Sequence, residues 1–151
     1  MKLTETLLKG GAKQTGQVMH RLVKDYYFDM MPLGTLPINE AFQKIAEIPF
    51  RPDPKGHELV QRPLFTLRDG GDCDDKAICM ASYAVINGLK YRFRAVGCKN
   101  GRNRKIPLTH VWTEVKIYNE GIGVDWLICD CTYAHNILGQ QTVNYDRSEF
   151  I

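Results

Sequence analysis

The sequence predicts an α+β fold, a central helix packed on an antiparallel sheet with further helices on the N-terminal side. Two observations predict it. Apolar residues recur at helical spacing through roughly the first 88 positions, and β-rich segments separated by turn residues follow from 91 to 133. The 151 residues match the usual size of one domain, taken here as 1–151, and are enough to bury a core without staples.

Val18, Leu22, Val23, Tyr26 and Met30 share one face of a helix over roughly residues 15–30, which Pro32, Gly34 and Pro37 should break. Asn39 offers an N-cap for a shorter helix carrying Ala41, Phe42, Ile45 and Ile48, ended by Pro49, Pro52 and Pro54. Residues 49–63 read as a proline-punctuated connector, an ordered surface crossing rather than a domain linker. From Cys73, a stripe of small residues (Ala77, Met80, Ala81, Ala84, Val85) suits a helix packed closely on a sheet, with Gly88 as its stop. Strands are expected at 91–97, 110–118 and 124–133. The basic segment 98–107 is expected to be the most mobile element, and from Ala134 onward no periodicity supports an assignment.

Twenty basic and 17 acidic residues give a net charge of +3, too balanced to point to a nucleic-acid partner. The N-terminal stretch MKLTETLLKGGAKQTGQ has neither the apolar core of a secretory signal nor that of a membrane span. Five cysteines, an odd number at modest density, favour reduced thiols and a cytoplasmic location.

The chemistry-bearing candidates are Cys73, His110 and Asp130. Cys73 lies in Gly-Asp-Cys-Asp-Asp at the start of the central helix, where the positive end of the macrodipole lowers a thiol's pKa. Asp72, Asp74 and Asp75 oppose that effect by negative charge, so the dipole and His110 must outweigh them. Asp72 also fits the N-cap position.

If residues 119–123 form a five-residue hairpin turn, Tyr118 pairs with Val124, and paired positions sum to 242. His110 and Asp130 then become diagonal neighbours within reach of a side-chain hydrogen bond. The period of two places His110, Trp112, Val124, Trp126, Ile128 and Asp130 on one face, against which the Cys73 helix is expected to pack. In that arrangement Cys73 is the nucleophile, His110 takes and returns its proton, and Asp130 fixes the imidazole. The backbone N–H of Cys73 would help hold an oxyanion, with a second donor sought in Gln61 to Arg68.

Other patterns are weaker. The acidic cluster lacks the spacing of a calcium loop. Cys129 and Cys131 would make a zinc set with Cys73 and His110, but alternation points both away from His110. No metal or cofactor is expected. Trp112 and Trp126 read as core, Glu114 and Lys116 as strand-surface charges, and Lys99, Arg102, Arg104 and Lys105 as a solvated basic loop.

The run GDCDDKA, the strand YRFRAVG, the segment THVWTEV and the closing W-x-I-C-D-C-T together resemble the transglutaminase-like superfamily of the papain-type cysteine-enzyme fold, over about residues 60–133. Within that stretch, VQRPLFTLRDGGDCDD resembles the versions found in bacteriophages and prophages. The resemblance implies Cys73 as nucleophile, His110 as base and Asp130 as orienting acid, in a papain/transglutaminase-like core. Cys131 departs from the proline usual after the aspartate.

Such domains hydrolyse peptide or isopeptide bonds, deglycosylate, crosslink or have lost activity. Of these, hydrolysis is favoured because water needs no second substrate site. The implied partner is a protein or peptide substrate and, with a phage origin, virion components, in a host cytoplasm or on a virion; neither nucleic acid nor membrane is expected. The alternative is a catalytically silent structural or interaction module on the same fold.

Overall fold

A computed structural model describes residues 4–6, 11–99, 101, 105–121 and 123–151. In chain order it contains β1 (Thr4–Thr6), α1 (Gly11–Tyr26), a 3-10 turn (Tyr27–Met30), α2 (Met31–Gly34), α3 (Ile38–Ala46), β2 (Leu59–Gln61), α4 (Pro63–Asp69), α5 (Cys73–Ile86), β3 (Tyr91–Gly97), β4 (His110–Asn119), β5 (Gly123–Cys129) and β6 (Arg147–Phe150). The architecture is α+β. Four antiparallel strands in the order β5-β4-β3-β6 form the main sheet, and β1 pairs with β2 in a separate antiparallel ribbon. Among the described residues, no helix is long and apolar enough to cross a membrane.

The first helix begins and ends about one turn earlier than the sequence suggested, then tightens into the 3-10 turn. Pro32 does not break the chain. It sits in the first turn of α2, where a missing N–H goes unused. Pro37, rather than Asn39, occupies the cap position of α3, with no side-chain cap bond. That helix stops at Ala46, although Ile48 still packs on the core.

The connector 49–63 is ordered, as expected, and holds a short strand the sequence did not announce: β2 forms within it and α4 follows at once. Asp29 explains α4: it accepts from the backbone N–H of Leu64 (3.1 Å), an otherwise orphan donor of the first turn, and pairs with Arg62 through two bonds (2.7 and 2.5 Å). No periodicity in a seven-residue helix announces such a long-range cap.

α5 is the centre of the molecule. Residues Asp74 through Ala84 are all buried. Ala77, Ile78 and Ala81 join Val18, Leu22 and Phe93 in one cluster, while Cys79, Met80 and Ala84 join Phe42, Ile45 and Val115 in another. Small side chains on every side of the helix let α1, α3 and the sheet approach it together. The basic segment falls partly outside the described residues, Arg102 and Arg104 among those not described, so its mobility lies outside them too.

Candidate active site

Cys73 is the first residue of α5, and a capping box builds its approach. Asp72 accepts from the N–H of Asp74 (3.2 Å), and Asp75 accepts from the N–H of Asp72 (3.3 Å). The chain reaches this corner through Gly71, where an added Cβ would lie 2.6 Å from the Asp75 Cβ. Gln61 locks the corner from the other side: its backbone N–H donates to Asp75 (3.0 Å), and its side-chain amide donates to Asp75 (3.2 Å) and to the Gly70 carbonyl (2.7 Å). Gln61 therefore braces the turn that leads into Cys73. Its amide is committed there and does not supply the second oxyanion donor sought between Gln61 and Arg68.

The Cys73 thiol donates to Asp74 Oδ1 (3.3 Å), and the backbone N–H of Val111 is directed at the sulfur. Burial pushes its pKa well above the usual thiol value, the charges of Asp74 and Asp72 push it further, and the Val111 N–H opposes them. The opposition expected from the neighbouring carboxylates is present, and burial adds to it. Burial and the two adjoining carboxylates oppose the dipole at this first helical position.

The hairpin register is the one the turn length implied: Tyr118 pairs with Val124 and Thr113 with Cys129, each pair summing to 242. Beyond the last pair, His110 Nε2 lies 2.7 Å from Asp130 Oδ2. Asp130 is 2% exposed and accepts further bonds on both oxygens, from the Thr132 N–H (3.1 Å) and hydroxyl (2.6 Å) on Oδ1 and from the Thr142 hydroxyl on Oδ2. Burial works to raise its pKa, but the His110 contact and the two hydroxyls prevail and hold it below the usual carboxylate value. An ionised Asp130 accepts, so His110 Nε2 is the donor in this contact and Nδ1 is the ring nitrogen turned away from it.

The expected packing face is corrected. His110 and Asp130 do share a face, but α5 packs on the other one. Val111 and Val115 enter the helical clusters, and the Thr113 hydroxyl donates to the Ala77 carbonyl (2.6 Å). Cys73 thus meets β4 at its first residues.

The face opposite α5 carries its own order. Glu114, expected to be a surface charge, is 3% exposed and holds Arg92 (2.6 Å), Arg94 (2.5 Å) and the Trp112 indole N–H (3.3 Å). Arg92 lies over both Trp126 and Phe150, each at 4.1 Å. Trp112 is buried against Tyr145. These aromatics pack against the sheet and its buried charges.

Carboxylates crowd the start of α5. Burial, and then the neighbouring Asp53 charge, push the pKa of Asp72 up to about 7, and Asp53, Asp74 and Asp75 are also raised, burial again the largest cause. The ligand-type atoms of Asp72, Cys73 and Asp74 lie within 4.8 Å of one another, so these three are the described residues that could gather round a cation. Cys129 and Cys131 are core residues of the helix side, away from His110 as alternation required. A cleft of about 140 Å³ opens beside His110 and Val111, with Glu58, Asp74, Thr15 and Ile151 on its walls. Thr142, Glu58 and Ile151 had no signal in the sequence: they reach the site from segments without periodicity or from the far ends of the described chain.

Compared with protein-family models, with curated proteins and with solved structures, the chain matches none of them.

Proposed function

We propose that this protein is a cysteine-nucleophile enzyme acting on an amide or acyl bond, a transglutaminase-like cysteine hydrolase of peptide or isopeptide substrates on a papain-like core. The observation that carries the reading is the 2.7 Å contact between His110 and Asp130 at the end of β4, next to the Val111 N–H that meets the Cys73 sulfur. In this reading His110 Nδ1 takes the thiol proton as the sulfur attacks the carbonyl carbon. The same proton passes to the leaving amine, and water, deprotonated by His110, cleaves the thioester. Asp130 keeps the proton on Nε2 and stabilises the imidazolium that forms. The backbone N–H of Cys73, at the start of α5, supports the oxyanion. Cytoplasmic or virion association and a phage origin belong to the same proposal.

A second reading has its own observation. The resting thiol is half-buried, donates to Asp74 and has a raised pKa, which fits a silent structural or interaction module of the same architecture, built into a virion for example. Alkylation by iodoacetamide between about pH 5 and about pH 9 separates the two, because only thiolate reacts. The enzyme reading expects the Cys73 rate to fall in His110→Ala. An unchanged profile leaves only the silent module.

A further inference from the structure

Lys76 lies one turn beyond Cys73 on α5 and is 1% exposed. Its ammonium donates to the carbonyl of Thr132 (2.9 Å) and to the carbonyl of Ala46 (3.1 Å). Both of these acceptors are backbone oxygens rather than carboxylates. A methionine would fill a similar volume without the desolvation of a buried ammonium, so what the lysine adds is direction: it ties α5 to two other parts of the chain at fixed angles.

One of those ties leads to the site. Thr132 gives its N–H and its hydroxyl to Asp130 Oδ1, and Asp130 Oδ2 meets His110. A chain of directional bonds therefore runs Lys76, Thr132, Asp130, His110, and it starts on the helix whose first residue is Cys73. The other tie, to Ala46, holds the end of α3 against the same point and limits how far the lysine can swing. We propose that Lys76 is a positioning residue that, by pinning the Thr132 carbonyl to α5, sets where the His110 imidazole stands relative to the Cys73 sulfur. This role rests on the reading of Cys73 as a nucleophile served by His110.

Lys76→Met removes both ties at similar volume, and Lys76→Gln keeps an amide donor for one carbonyl. Two readouts follow in each: the downfield proton resonance of His110 Nε2–H held against Asp130, and the rate of Cys73 alkylation across pH. The account expects Lys76→Met to keep a native-like amide spectrum, lose or broaden the His110 resonance and alkylate about tenfold to a hundredfold more slowly, the scale of a displacement near 1 Å. Lys76→Gln should recover part of both. Should the methionine variant fail to fold, the glutamine variant decides by the same two readouts. A His110 resonance and a pH profile unchanged in the folded variants, with only thermal stability lost, overturn the proposal. If instead the unmodified protein's thiol proves indifferent to His110, the enzyme reading fails, while the resonance still reports whether Lys76 holds the His110–Asp130 pair.

Discussion

His110 and Asp130, twenty positions apart in sequence, meet at 2.7 Å just past the paired part of the β4–β5 hairpin, where Asp130 also gathers donors from Thr132 and Thr142. A buried carboxylate so supplied stays ionised and fixes the imidazole tautomer. Asp130→Asn keeps the shape but presents an NH₂ group where acceptors are needed. It should slow labelling of Cys73 by about a hundredfold or more, as removal of an orienting acid does elsewhere. Asp130→Ala should in addition destabilise the fold by about 2–4 kcal/mol, because several buried donors lose their acceptor. Chemical denaturation of both variants beside a labelling assay checks the pair of effects.

The acidic corner of α5 gives a pH dependence of definite sign. Asp72 rises from 3.8 to about 7 on folding, so the native state binds its proton more tightly than the unfolded chain. The stability this contributes is fully present below about pH 4 and is lost as pH rises through about 7. Asp53, Asp74 and Asp75 are raised as well and act in the same direction, whereas Asp130 and Glu114 are lowered and act in the opposite one. Asp72→Asn keeps a capable N-cap while removing one titrating group, and should flatten the decline of thermal midpoint between about pH 4 and about pH 7. An unaltered slope in that variant contradicts the assignment.

Gly97 is where the sheet passes closest to the chain leading into the site. A Cβ there would fall 1.8 Å from the Pro107 carbonyl oxygen, a backbone atom that cannot swing aside. Gly97→Ala should therefore displace the Pro107–His110 approach and destabilise by about 2 kcal/mol or more, with Cys73 labelling impaired in the fraction still folded. Thermal melts and labelling of the same samples test this.

The hairpin was legible because its turn length alone sets the pairing, and a period of two then fixes which residues share a face. His110 and Asp130 followed from that arithmetic. Which face α5 would cover was not legible, since both faces of β4 carry large side chains: Trp112 is buried by Tyr145 on one side, while Val111 and Val115 are buried by α5 on the other. The raised pKa of Cys73 escaped for a related reason: the helix dipole and the flanking carboxylates can be read from sequence position, but the burial that is its largest cause depends on the whole fold. α4 and the Thr142 contact depend on partners far along the chain, Asp29 for the first and Asp130 for the second, so no local pattern marks them.

The most direct measurement is covalent capture by a peptidyl electrophile, a vinyl sulfone or fluoromethyl ketone, with the modified residue mapped by mass spectrometry in the unaltered protein and in His110→Ala. The account predicts modification at Cys73 in the former and a fall of about a hundredfold or more in the latter, the contribution of a positioned base. Modification confined to exposed Cys98, or at Cys73 with equal speed in both proteins, contradicts it.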